Sequence, residues 1–178
     1  LLAYQTAYLK ANYPAEFMAA NLTNEMSSTE KLAEYIDEAR GMGIQVLPPD
    51  VNLSEGEFTV SEGRIVYGLL GIKNVGSSAV EEILRARSLG RAFTSVVDFL
   101  DRIDLKAVNR KVVETLVLSG AIDSLHTNRA TLYHNLERLL TLAAARRESR
   151  SSGQGLLFDA QAASEIAPDV RLEEVPDW

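Results

Sequence analysis

A chain of 178 residues with 46% hydrophobic residues has room for one domain of ordinary size or two small ones. It has no run of eighteen apolar residues, which excludes a helix crossing a membrane, and no basic stretch followed by an apolar one, so a signal peptide is not expected. Zero cysteines exclude disulfides and thiolate chemistry, and the two histidines, His126 and His134, are too few for a His-rich metal site or a Ser-His-Asp arrangement.

The net charge of −7 argues against wholesale coating of nucleic acid, but the charge is uneven. Residues 69–112 carry eight Lys/Arg against five Asp/Glu, and residues 149–178 carry two against six. A phosphate grip depends on the local field, and the positive segment holds the most informative motif.

In chain order, Tyr4 to Asn12 reads as a helix, and its opening without Met, already in helical pattern, is expected of a piece of a longer protein. Pro14 suits the first turn of a second helix, where its missing N–H costs nothing. Met18, Leu22 and Met26 form a buried stripe there. Ser27 with Glu30 has capping-box spacing and predicts the start of a third helix, with Leu32, Tyr35, Ile36 and Ala39 on its apolar face and Gly41 and Gly43 ending it. Tyr4, Tyr8 and Tyr13 are expected to be packing residues. A small β element follows: Gln45 to Leu47 is a short candidate, and Glu57 to Val60 and Arg64 to Tyr67 flank a hairpin signal at Ser61-Glu-Gly63.

The stretch from Gly71 to Leu84 predicts a helix end, a tight turn at Lys73 to Gly76, and a second helix with Ala79, Val80, Ile83 and Leu84 on one face. Gly76 can take positive φ, and Asn74 is one of the few other residues that visit that region readily. A turn of this kind leaves backbone N–H groups pointing outward at the positive end of a helix, a ready site for phosphate. Ser77 and Ser78 add hydroxyls and Lys73 a charge. The pattern has helix-hairpin-helix form; an ordinary corner of the core is the competing structural reading.

Arg85, Arg87 and Arg91 follow; they read either as a basic rim or as the cations that a helix C-terminus favours in any case. Ser95 with Asp98 predicts a short helix from Val96 to Arg102. Asn109 predicts a cap for another from Arg110 to Leu118, which Gly120 ends. Ile103 to Leu118 is thus a second, degenerate hairpin, whose turn is basic through Lys106, Arg110 and Lys111. Asn128 opens a long helix to about Arg146. A polar linker follows, holding one apolar island at Gln154-Gly-Leu-Leu-Phe158.

Several of these stretches together resemble a known family. Tyr4-Gln-Thr-Ala-Tyr-Leu-Lys-Ala, Tyr13-Pro-Ala-Glu-Phe-Met-Ala-Ala and Gly43-Ile-Gln-Val-Leu-Pro-Pro-Asp-Val-Asn are similar to the alpha subunits of bacterial replicative DNA polymerase III, the C-family polymerases. Gly68-Leu-Leu-Gly-Ile-Lys-Asn-Val-Gly, Val108-Asn-Arg-Lys-Val-Val-Glu and Ser119-Gly-Ala-Ile-Asp resemble that family's tandem helix-hairpin-helix region. Gln154-Gly-Leu-Leu-Phe resembles its sliding-clamp peptide, and Glu173-Glu-Val-Pro-Asp-Trp the lead into the next domain.

The resemblance implies a mostly α fold: a helical fingers portion with a small β hairpin at 1–68, the tandem hairpins and long helix at 69–146, and a disordered tail with the clamp peptide at 147–178. It implies DNA contacts by Lys73, Asn74, Val75, Gly76, Ser77, Ser78, Lys106, Asn109, Arg110 and Lys111, with the amides of Val75 to Ser78 favoured because the family usually has Gly where Asn74 stands. Clamp contacts fall to Gln154, Leu157 and Phe158.

The family's catalytic palm aspartates and their Mg2+ lie upstream of this region, so no catalytic or metal residue and no cofactor is expected here. Asp98, Asp101 and Asp104 read instead as solvated helix face and cap. The implied partners are duplex DNA, the sliding clamp and the rest of the polymerase, with no membrane, in a cytoplasmic replisome at the nucleoid. The alternative is a helical scaffold whose hairpins never touch DNA.

Overall fold

The structure is a computed structural model that describes residues 1–151 and 172–177. It is mostly helical: α1 Leu2–Asn12, α2 Pro14–Asn24, α3 Thr29–Gly41, then strands β1 Val46–Leu47, β2 Thr59–Ser61 and β3 Arg64–Val66, a 3-10 turn at Leu69–Gly71, and helices α4 Ser77–Ser88, α5 Val96–Arg102, α6 Arg110–Leu118 and α7 Arg129–Ser151.

Local chemistry sets most of the ends. Pro14 sits in the first turn of α2. Ser95 caps α5 by accepting the Asp98 amide at 3.1 Å, and Asn109 caps α6 by accepting the Val112 amide at 3.2 Å. Gly43 and Gly120, at φ 79° and 81°, let the chain turn back so that Ile44 bonds Ala39 O and Ala121 bonds Leu116 O. The cap of α3 is Ser28 rather than Ser27: Ser28 is the residue in extended conformation, and its hydroxyl accepts the Lys31 amide. Adjacent serines offer the same chemistry, and the backbone selects one.

The sheet order is β1-β3-β2. β2 and β3 form an antiparallel hairpin closed by Glu62 and Gly63, both at positive φ, as a two-residue turn requires. β1 adds in parallel to β3, with Val46 opposite Ile65.

Two apolar clusters carry the fold. One joins Met18, Leu22, Leu32, Ala39, Phe58 and Ile65 across α2, α3 and the sheet. The other gathers Leu69, Val80, Ile83, Phe99, Leu116 and Leu136 from the 3-10 turn and α4 to α7. Tyr67 packs against both. α1 lies outside the two: Tyr4, Tyr8 and Tyr13 are exposed by half or more, contrary to the packing role expected of them. α1 packs mainly on α2, and the Lys10–Glu38 ion pair ties it to α3.

α7 runs past Arg146 to Ser151. Its last turns are held against α5: Arg146 pairs with Asp101 at 3.2 Å, and Arg147 donates to Leu100 O at 3.1 Å. The polar composition that predicted an earlier end is offset by these tertiary partners. Gln154, Leu157 and Phe158 lie outside the described residues.

Candidate nucleic-acid interface

The first hairpin begins on one turn of 3-10 helix, not a longer helix. The Tyr67 hydroxyl donates to Gly71 O at 3.1 Å, and Ile72 and Val75 plug into the core at 7% and 6% exposure. Between and beyond those two anchors, Lys73, Asn74, Gly76, Ser77 and Ser78 are exposed. Asn74 takes the left-handed conformation at φ 67°. Gly76 does not; it is the extended N-cap of α4, at φ −83° and ψ 165°. An N-cap wants that extended backbone, so the reversal falls to Asn74.

The start of α4 is unsatisfied. No side chain caps it, and Gly76 O accepts the amides of Ala79 and Val80. The Val75 amide is taken by Ile72 O, so only its backbone position, not its N–H, remains at the turn. The amides of Gly76, Ser77 and Ser78 make no bond among the described residues. A Cβ built on Gly76 meets nothing within 4 Å, and Gly76, Ser77 and Ser78 are all exposed, so the start of the helix is open to solvent. Three N–H groups without partners among the described residues, at the positive end of a helix that no side chain caps, are the kind of donor set that takes an anionic oxygen.

The second hairpin repeats the plan from α5 to α6. Val108 is buried as Val75 is, and Asn109 caps α6 where Gly76 caps α4, at φ −72° and ψ 172°. The pairs 79 and 112, 80 and 113, 83 and 116 continue at the same offset, all of them buried. The turn is tied by Asp104, whose carboxylate accepts the Lys106 amide at 3.0 Å and whose carbonyl accepts those of Ala107 and Val108. Asn109 already spends its oxygen on Val112, so the second N-terminus is partly satisfied from within.

The cations divide into two sets. Arg110 donates to Glu114 at 2.9 Å and stands 3.5 Å from Glu137 of α7; those carboxylates, the Glu114 hydrogen bond first, raise its pKa. Arg85 is held by Glu82, and Arg87 turns inward to Val51 O, Ser54 O and Glu55. These are structural ties rather than a rim. Lys73, Arg91, Lys106 and Lys111 have no ion pair among the described residues.

Asp98 and Asp104 act as turn and cap acceptors, and Asp101 is a 12%-exposed partner of Arg146 rather than solvated helix face. Among the described residues, no group of three or more His, Cys, Asp or Glu is placed to hold a metal ion. No helix among them is long and apolar enough to cross a membrane.

Sequence reasoning missed Glu82. Its carboxylate, 10% exposed, bonds the amide of Asp104 and so joins α4 to the second turn. Nothing local marks such a residue, because its partner lies in the next hairpin.

Comparison with known proteins agrees with this geometry. The family described as helix-hairpin-helix motif matches residues 43–132. The DNA polymerase III subunit alpha of Borreliella burgdorferi is 48% identical over 160 residues, covering 90% of this chain and 14% of that protein. The subunit of Thermus aquaticus is 49% identical, covering 89% of this chain and 13% of its own length. That of Vibrio cholerae is 41% identical over 100% of this chain and 15% of its own length. The chain therefore spans about a seventh of the length of these relatives.

Proposed function

This chain belongs to the helix-hairpin-helix family, and from that premise we propose that it grips duplex DNA by the phosphate backbone, without reading sequence, as part of a bacterial replicative polymerase. The observation that carries this reading is the open start of α4, where the unbonded amides of Gly76, Ser77 and Ser78 stand beside Lys73. A backbone grip needs donors and positive charge but no base-reading side chains, and the turn supplies only those. Lys106 and Lys111 bring charge to the second turn. Arg110 and the Asn109 side chain serve the fold first and the DNA second.

The test is fluorescence anisotropy of a labelled non-specific duplex across a salt series. The logarithm of affinity should fall with the logarithm of salt at about −0.9 per phosphate contacted. Gly76→Val should weaken binding, because its side chain crowds those amides. A folded chain that binds no duplex at low salt would sink this reading and leave a helical scaffold.

The apolar island Gln154 to Phe158 is proposed as a peptide for the bacterial sliding clamp, with Gln154, Leu157 and Phe158 as anchors; its support is the sequence pattern and the kinship of the chain. Surface plasmon resonance against a clamp, with Leu157 and Phe158 replaced by alanine, tests it separately. Nucleotidyl transfer belongs, in this reading, to palm carboxylates and Mg2+ elsewhere in the parent polymerase, at work in the cytoplasmic replisome.

A further inference from the structure

Thr131 and Asn135 of α7 are buried to 2% and 5% exposure, although both are polar. The Asn135 amide group donates to Thr131 O at 2.9 Å within the helix, and residues 172–177 supply further partners for both side chains. The Asn135 amide group donates to Glu173 O at 2.9 Å, and its oxygen accepts the Glu173 N–H at 3.1 Å. About one turn earlier, the Thr131 hydroxyl donates to Val175 O at 3.2 Å and accepts the Val175 N–H at 3.0 Å. Asn128 donates to the same carbonyl at 2.9 Å while its own oxygen caps α7 through the Thr131 amide. Asp177 then accepts the Ala130 amide at 3.5 Å, placing a carboxylate at the positive end of the helix.

Positions 128, 131 and 135 share one face of a helix, and alternate residues of an extended segment face the same way. The ladder therefore matches helix spacing to strand spacing. Its bonds go to the backbone of the segment at residues 173 and 175. Among the described residues, the Glu173 side chain makes only an exposed approach to His134, at 3.5 Å.

We infer that Asn128, Thr131 and Asn135 form a receptor for the backbone of one extended segment, and that residues 172–177 occupy it as a releasable latch. Seated, the latch brings the chain back from the far end of α7, about 24 Å beyond Asn135 at 1.5 Å per residue. A pull on the intervening residues then ends on α7 and does not reach whatever follows residue 177. Release is inexpensive, because the side chains left behind are polar and take water in place of the peptide, and Leu172 is the segment's main apolar anchor. The latch is independent of the DNA reading.

Residue-resolved amide hydrogen exchange on the whole chain tests it. The amides of Glu173 and Val175 should exchange slowly while that of Glu174 between them exchanges fast. Thr131→Val with Asn135→Ala should speed Glu173 and Val175 by about ten-fold or more, with Leu116 and Val117 of α6 unchanged. Glu173→Ala with Glu174→Ala should leave the alternation in place, since the backbone is what is bound. Spin labels on cysteines introduced at Ser124 and Glu174, in a chain with no cysteine of its own, should report a longer and broader distance in the Thr131/Asn135 variant. The inference is overturned if that variant leaves exchange or distance unchanged, if α6 loses protection along with the segment, or if the glutamate variant releases it.

Discussion

Glu82 of α4 accepts the backbone N–H of Asp104 at 2.7 Å and, on the same carboxylate, the guanidinium of Arg85 at 2.7 Å. One side chain thus bonds the second helix of the first hairpin to the turn of the second. Arg85, first of all, holds the Glu82 pKa below its usual value, with the Asp104 amide and the Arg85 and Arg147 charges assisting against the cost of burial. Glu82→Ala should lower stability in urea unfolding by up to about 1.5–3 kcal/mol, the range for a hydrogen bond to a charged group. Glu82→Gln keeps an acceptor and should cost less.

The lowered pKa fixes a pH dependence. Folding favours the ionised carboxylate, so its contribution is fully present above the unfolded value of about 4.5 and is lost as pH falls through the lower folded value. Urea midpoints measured from pH 7 down to pH 3 should therefore converge for the wild type and Glu82→Gln at the acid end. A gap that stays constant or widens there would remove Glu82 as a linkage group.

Gly68 is required for space rather than for φ. A Cβ there would lie 2.5 Å from the carbonyl carbon of Glu57 and 2.7 Å from Gly56 O, both backbone. Those atoms belong to the loop that accepts the Leu69 and Leu70 amides, so the approach launches the first hairpin. Gly68→Ala should destabilise the chain by about 1–3 kcal/mol, the usual cost of overpacking, read as a lower melting temperature. Gly76→Ala, whose Cβ meets open space, should cost well under that.

Helix ends were legible where one residue decides them, as at Pro14, Ser95, Asn109 and Gly120. The hairpins were legible because Val75, Ala79, Val80 and Ile83 carry helical spacing beside a turn. Long-range pairing was not. Nothing in the sequence marks β1 as a parallel neighbour of β3, Glu137 as a partner of Arg110, or Glu55 as a partner of Arg87. The basic count of residues 69–112 therefore overstated the free charge, since burial and partners decide which cations remain for a ligand. The seat of residues 172–177 on α7 was hidden likewise, because backbone recognition leaves no side-chain pattern.

Asn74 holds the left-handed position of the first turn at φ 67°. Asn74→Gly should be close to neutral in melting temperature, because both residues visit that region. Asn74→Val should cost about 1–2 kcal/mol, the penalty for placing a branched side chain there. If Asn74→Val melts as the wild type does, the turn relaxes to another conformation in solution.

The division of cations gives the sharpest test of the interface. Lys73, Lys106 and Lys111 are exposed and free of ion pairs among the described residues, while Arg110 is spent on Glu114 and Glu137. Neutralising one phosphate contact should flatten the salt slope of duplex binding by about 0.9. Lys73→Gln, Lys106→Gln and Lys111→Gln together should therefore flatten it by up to about 2.7 with little change in stability. Arg110→Gln should leave the slope nearly unchanged and shift the melting temperature little, since exposed pairs contribute little. The reverse result, a flat response to the lysines and a large one to Arg110, would mean that DNA breaks the Arg110 pairs and takes the guanidinium for itself. The grip would then lie along the α6–α7 edge, and the start of α4 would be a corner of the core.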